Sequence, residues 1–361
     1  MGDTNVHHTL VNLQAQYYQP GLQFEAPPGV TLSQRHYPET KPEELHERIH
    51  DATIIVMGWI KLDAVALSEE VTPHLQFISV TAVGTDSVDL EACRRRGIRV
   101  SNCAGANVES VSSHAIALYL AARRKIVQMS TATASGYWAK RGLTISHDMV
   151  DRDNNKPLTF EEEVVGILGY GTVGMLPFFC RSCWRGTFSD CHVGKKIAQL
   201  SKALGMKVLV ATQKNAGNFQ HKDNSIERIP FEEVLKNSTV IFVAVPRLPS
   251  TMNLISTAEF QLMSPQTVLV NIARGGIVDE AALLRALKDR SIYGAATDVF
   301  DNAEPATSET SVLLSEEAGG LNLTLSPHIA WYAEKTMNNY RRMSPENVRN
   351  FLLGQPTNLV V

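Results

Sequence analysis

Three short stretches of the chain carry side chains that move protons and hold anions. Asn271–Glu280 reads NIARGGIVDE and sets Arg274 just beyond a buried apolar run. Asp298–Pro305 reads DVFDNAEP, with Glu304 in the loop after a second run, and Ser326–Trp331 reads SPHIAW, with His328 after a third. An imidazole is the commonest side-chain acid or base near neutral pH, and a guanidinium grips carboxylates in a two-pronged fork. A lone histidine is usually structural, and a loop glutamate is usually solvated. In a parallel α/β sheet, however, residues just beyond the strand C-termini converge on one crevice, so an Arg, a carboxylate and a His gather there.

The elements that must position them read clearly. Thr53–Met57, Gln76–Val80, Val100–Asn102, Val164–Leu168, Lys207–Ala211, Thr239–Val245, Val268–Ile272, Gly294–Val299 and Leu323–Ser326 are short apolar runs, read as strands. Helical spacing marks Glu109–Val127, Lys195–Leu204, Phe231–Leu235, Asp279–Leu287 and Ala333–Leu353. Glu109 in the first turn of the long helix, and Arg123, Arg124 and Lys125 at its end, suit the helix dipole. Strands alternating with helices predict doubly wound parallel sheets.

Gly169-Tyr170-Gly171-Thr172-Val173-Gly174 is GxGxxG directly after a buried run. Its first glycine permits a tight turn, its second lets backbone approach a pyrophosphate, and its third lets a helix pack closely on the strand. The following helix N-terminus then faces the phosphates. The predicted organisation is a dinucleotide-binding domain of residues 128–328 inserted into a domain formed by residues 1–127 and 329–361.

Met175–Val193, MLPFFCRSCWRGTFSDCHV, stands where that helix should run, with Pro177 and no helical period. Removing Met175–Gly194 or Gly174–Val193 yields the continuous seam GYGTVGKKIAQLSKALGMKV. The segment reads as foreign to the fold, a retained intervening sequence, and its peptides in the native protein would exclude that reading. The alternative is a zinc element of Cys180, Cys183, Cys191 and His192, although the adjacent Cys-His is a poor pair for one tetrahedral site. No metal is expected.

A free 2′-hydroxyl on the cofactor prefers an acid at the end of the second strand of such a domain. That strand ends Ala211-Thr212-Gln213-Lys214, with Thr212 at the acidic position and Lys214 able to face a 2′-phosphate. The sequence leans towards NADP over NAD. Alternatively, Lys214 is an ordinary solvated loop lysine.

The 361 residues are 44% hydrophobic and 20% charged, with a net charge of -3. That is core material for two domains, without the basic excess that nucleic acid or a membrane surface would select. Five cysteines, an odd and sparse set, fit reduced thiols. No apolar run is long enough to span a bilayer. MGDTNVHHTL lacks an apolar signal core, Val6 stands where a myristoylation motif wants Ser or Thr, and TNLVV is no retention or peroxisomal signal. A cytosolic protein is expected.

The stretches Ala82–Leu118 (AVGTDSVDLEACRRRGIRVSNCAGANVESVSSHAIAL), Val164–Gly174 (VVGILGYGTVG), Ala244–Ile255 (AVPRLPSTMNLI), NIARGGIVDE, AATDVFDNAEP and SPHIAW together resemble the D-isomer-specific 2-hydroxyacid dehydrogenase family. The resemblance runs from Thr53 onwards. It implies an α/β chain in which a Rossmann doubly wound parallel-sheet domain is inserted into a flavodoxin-like α/β substrate domain, with the active site in the cleft and a homodimeric assembly. The expected activity is NAD(P)-dependent interconversion of a small 2-oxo carboxylate and its D-2-hydroxy acid.

The resemblance assigns catalysis to Arg274, Glu304 and His328. The backbone N–H groups of Val83 and Gly84, with Arg274, take the substrate carboxylate. Cofactor contacts fall on Gly169, Gly171, Thr172, Val173, Gly174, Thr212, Gln213, Lys214, Pro246, Thr251, Ala273 and Asp298. In these roles His328 protonates the substrate oxygen, Glu304 favours the imidazolium and fixes its ring, and Arg274 grips the carboxylate and polarises the carbonyl. Formate dehydrogenases place Gln where Glu304 stands, and phosphoglycerate dehydrogenases often carry an added regulatory domain. The pair His328 and Trp331 resembles the glyoxylate/hydroxypyruvate reductase and glycerate dehydrogenase branches, although Trp331 could equally be packing. Two rival expectations remain. One is a nucleotide-sensing binding protein of the corepressor kind, which would need peptide-binding surfaces and a basic nuclear cluster absent here. The other is a product damaged by the insertion at its pyrophosphate turn.

Overall fold

A computed structural model describes residues 6–142, 145–170, 191–215, 227–301 and 304–361. They form two units, one of residues up to Asn107 together with Tyr332–Val361, the other running from Val108 to Trp331.

The first unit opens with β1 (Val6–Asn12), β2 (Val30–His36), α1 (Pro42–Ile49), β3 (Ile54–Met57), β4 (Phe77–Val80), α2 (Leu90–Arg96) and β5 (Arg99–Ser101). The strands pair in parallel in the order β2-β1-β3-β4-β5, the flavodoxin-like order. β3 and β4 are buried along their whole length, as strands covered on both faces must be. Edge strand β2 has no fully buried residue. Asp89 accepts the Ala92 N–H to cap α2, and Gly97 ends that helix in the left-handed conformation.

The second unit begins with α3 (Val108–Arg123), α4 (Ile126–Ala134) and α5 (Tyr137–Arg141). Then come β6 (Val164–Leu168), α6 (Cys191–Ala203), β7 (Lys207–Ala211), β8 (Arg228–Ile229), α7 (Phe231–Asn237), β9 (Val240–Val243) and α8 (Thr257–Phe260). β10 (Val268–Asn271), α9 (Glu280–Lys288), β11 (Gly294–Thr297) and β12 (Leu323–Leu325) complete it. The sheet is parallel throughout, in the order β12-β11-β10-β9-β6-β7-β8. This is the Rossmann order with one further strand beyond β11, and its direction reverses between β6 and β9. The C-terminal helix α10 (Glu334–Leu352) belongs to the first unit and lies on β4. There the Phe77 and Phe351 rings stack 4.4 Å apart, and Ser344 Oγ meets Ser79 and Thr81.

Two sequence boundaries move. The unit junctions fall at 107/108 and 331/332, where 127/128 and 328/329 were expected. The reason is the underside of α3. Val111, Ala115, Leu118, Tyr119 and Ala122 join the core over β6, β9 and β10. Arg123 is anchored there by Glu163, at 2.6 and 2.9 Å, with both side chains buried. The long helix also ends at Arg123 and not at Val127, because Lys125 takes φ +46° and α4 starts afresh. The segment between Met175 and Asp190 lies outside the described residues, as do Cys180 and Cys183.

Candidate active site

The second unit carries Arg274, Glu304 and His328. Arg274 follows β10, where Asn271 shapes the turn. Its Oδ1 accepts the Ala273 N–H at 3.2 Å, and its Nδ2 donates to the Arg274 carbonyl at 3.2 Å. Gly275 then lies so close to the loop after β11 that a Cβ would meet the Phe300 carbonyl oxygen at 1.7 Å. The two glycines of ARGG are thus a packing requirement that brings the arginine loop against the glutamate loop.

Glu304 Oε1 accepts the Phe300 N–H at 3.2 Å, and its other oxygen is hydrogen bonded to His328 Nδ1. Burial pushes the Glu304 carboxyl up. The His328 hydrogen bond and charge, the Phe300 N–H and the Arg274 charge outweigh that and hold it below the usual carboxylate range. His328 itself has φ +51°, an uncommon backbone state for a residue with a side chain. Its loop is held from beneath by Asp298, which is 1% exposed. Asp298 accepts the Ile329 and Ala330 N–H groups at 3.0 and 2.9 Å and the Ser326 hydroxyl at 2.5 Å. His114 Nε2 lies 3.0 Å from that hydroxyl, and Trp331 Nε1 donates to the His328 carbonyl at 2.9 Å. Trp331 therefore both packs and anchors the His328 loop.

The dinucleotide crevice of a Rossmann sheet lies where the strand order reverses, here past the ends of β6 and β9. Gly169 closes β6 with φ +101°, and a Cβ there would sit 2.3 Å from the Ala244 carbonyl oxygen past β9. Gly194 in α6 approaches still closer, since its Cβ would lie 1.9 Å from the Gly169 carbonyl oxygen. This is the helix–strand contact that the third glycine of such a turn permits, and Gly194 makes it. Gly171, Thr172, Val173 and Gly174 lie outside the described residues. Such close backbone packing is what the first and third glycines of a dinucleotide turn provide, so Gly169 and Gly194 fit a dinucleotide-binding unit.

Around it, Pro246 and Thr251 form one loop, the Thr251 hydroxyl donating to the Pro246 carbonyl at 2.7 Å. Thr212 N–H donates to Ile229 at 2.8 Å, Gln213 is exposed, and Ala273 is buried. Lys214 is not a simple solvated lysine, for its ammonium donates to Glu259 Oε1 at 2.8 Å. Val83 and Gly84 stand in the first unit, past β4, where the Val83 carbonyl accepts Asn102 Nδ2 at 2.6 Å. No group of metal-ligating side chains occurs among the described residues.

Of the residues that shape the site, Gly275, Ser326, His114 and Glu259 were not among the sequence-based candidates, whereas Gly194 already stood at the continuous seam as the glycine left by removing Gly174–Val193. The signal for Gly194 is the Val-Gly that stands at both borders of the odd segment, as Val173-Gly174 and Val193-Gly194. Ser326 lies inside the SPH stretch. His114 and Glu259 have no local signal, since their partners are distant in sequence.

Residues 186–330 match the family model described as D-isomer specific 2-hydroxyacid dehydrogenase, NAD binding domain. The chain is 33% identical over 319 residues to the glycerate dehydrogenase of Methylorubrum extorquens, covering 88% of each protein. The chain belongs to the D-isomer-specific 2-hydroxyacid dehydrogenases. A glyoxylate reductase of Pyrococcus furiosus is 30% identical over 298 residues, 81% of this chain and 76% of that one. Among solved structures, a glyoxylate reductase from Paecilomyes thermophila superposes with a TM-score of 0.73 at 21% identity, covering 98% of both chains. As a D-2-hydroxyacid dehydrogenase the chain is an NAD(P)-dependent oxidoreductase acting on CH–OH donors. No helix among the described residues is long and apolar enough to cross a membrane.

Proposed function

We propose that this dehydrogenase reduces a small 2-oxo carboxylate of the glyoxylate or hydroxypyruvate type to the D-2-hydroxy acid, and catalyses the reverse. The observation that carries this reading is the Glu304–His328 hydrogen bond beside the Arg274 charge, at the strand ends of a dinucleotide sheet. Names of relatives, a glycerate dehydrogenase and glyoxylate reductases, support the substrate class.

Gly169, Gly194 and the loops of Thr212, Pro246, Thr251 and Ala273 would hold the dinucleotide, which when bound would supply the hydride. His328 delivers a proton to the carbonyl oxygen, and in oxidation it takes the proton back. Glu304 occupies Nδ1, so the other ring nitrogen is the one left for substrate. Arg274 holds the carboxylate and polarises the carbonyl. Asp298 fixes the His328 loop through two backbone N–H groups, and this contact supports a positioning role beside the cofactor role expected for it. We assign the second unit to the cofactor and the first, with the Val83 and Gly84 N–H groups, to the substrate. A cytosolic homodimer belongs to the same proposal.

The test is oxidation of NADPH and NADH by the purified chain with glyoxylate and hydroxypyruvate. Turnover with either acid is expected. A folded chain that binds the nicotinamide yet reduces neither acid would support the sensing-protein reading instead.

A further inference from the structure

The residues after the second strand of a dinucleotide unit face the adenosine ribose, and they distinguish a free 2′-hydroxyl from a 2′-phosphate. Here they are Thr212, Gln213 and Lys214, of which only Lys214 is charged. Its ammonium donates to Glu259 Oε1 at 2.8 Å and to the Leu254 carbonyl at 3.3 Å, and it lies 5.8 Å from the centre of the Phe231 ring. Glu259 is only 7% exposed, and its second oxygen accepts the Ser256 N–H at 2.9 Å. The carboxylate is therefore fixed, and the flexible lysine comes to it.

The pair has a definite place in the fold. Lys214 follows β7, while Leu254 and Glu259 belong to the segment after β9, and β7 and β9 flank β6 on either side. The pair thus joins the residues that follow β7, where the ribose contacts are expected, to the segment between β9 and β10. A 2′-phosphate arriving there meets a lysine already neutralised by a nearly buried carboxylate.

We propose that Glu259 is a cofactor-specificity residue: by holding the Lys214 ammonium on protein oxygens, it makes a 2′-phosphate compete for that lysine and draws the enzyme towards the nicotinamide with a free 2′-hydroxyl. The absence of an acid at Thr212 pulls the other way, so Glu259 supplies at a distance the discrimination that the strand end lacks. The inference rests on the dinucleotide reading of the second unit.

The experiment is fluorescence titration of NADPH and NADH into the full-length chain and its Glu259→Gln, Lys214→Met and doubly substituted forms. Glutamine keeps the shape and the acceptor for Ser256 while removing the charge. Glu259→Gln should raise the NADPH-to-NADH affinity ratio about ten-fold, as one charge-assisted hydrogen bond from the released ammonium to the 2′-phosphate would. Adding Lys214→Met should erase the gain, because the released lysine is its source. If Glu259→Gln fails to fold by circular dichroism, Glu259→Ala carries the same expectation. An unchanged ratio, or a gain that survives Lys214→Met, overturns the proposal while leaving the dinucleotide reading intact. A wild-type chain that binds neither nicotinamide overturns both.

Discussion

Gly194→Ala most sharply tests which glycine lets helix α6 pack against the end of β6. An alanine Cβ would lie 1.9 Å from the Gly169 backbone oxygen and 3.1 Å from Ile167 Cγ2, and real Cβ contacts essentially never fall under 3.0 Å. The oxygen belongs to the main chain at the end of a buried strand, so no side chain can swing aside. Helix α6 must retreat by about 1 Å, which disturbs the packing of Val193, Ile197 and Ala198. Overpacking of this kind costs about 1–3 kcal/mol. In a domain of this size that lowers Tm by roughly 2–10 °C. A displacement near 1 Å at the pyrophosphate turn should also reduce turnover on the order of 100-fold. Gly174→Ala, at the third glycine of the motif as written, should leave both quantities unchanged, and deletion of Gly174–Val193 should give a folded chain that binds nicotinamide. Differential scanning calorimetry and cofactor titration read all three. If Gly174→Ala destabilises and Gly194→Ala does not, the assignment of the close contact to Gly194 is wrong.

His328→Ala should lower kcat by about 10²–10⁴-fold while leaving the nicotinamide Kd unchanged, as general acid–base catalysis predicts; parallel loss of cofactor affinity would make the residue structural. Arg123→Leu strands the buried Glu163 carboxylate without its partner and should cost about 3–5 kcal/mol in urea unfolding, whereas a loss within 1 kcal/mol would show that the pair carries little. Glu304 has its folded-state pKa depressed, so its stabilising contribution is present above the unfolded value of about 4.3 and is lost as pH falls through the lowered folded value. Between about pH 5 and pH 3 the wild type should therefore lose more stability than Glu304→Gln, and equal losses by chemical denaturation at each pH would contradict this.

The central strands were legible because a parallel sheet covered on both faces needs continuous apolar runs, and β3, β4, β9 and β10 have them. The first two strands were not. β1 begins Val6-His7-His8, and β2 is an edge whose residues are never fully buried, so neither shows an apolar signature. The carboxyl–imidazole pairing was legible as a motif, and the structure joins Glu304 to His328 as that motif implied. What holds the pair in place was illegible, because Asp298, Ser326 and His114 meet only through the fold, with His114 212 residues before its serine partner. The Lys214–Glu259 bridge escaped for the same reason, its members lying 45 residues apart. The α3–α4 break escaped for a local one, since nothing in the composition of Arg124-Lys125 announces a left-handed residue.

The most direct test of the central claim is a nicotinamide oxidation assay on the purified full-length chain with glyoxylate and hydroxypyruvate, run beside His328→Ala and with the configuration of the product determined. Consumption of reduced nicotinamide dependent on the 2-oxo acid is expected, with a D-configured product from hydroxypyruvate and near-complete loss of turnover in His328→Ala at unchanged cofactor affinity. Turnover in His328→Ala equal to that of the wild type, or an L-configured product, would contradict the claim.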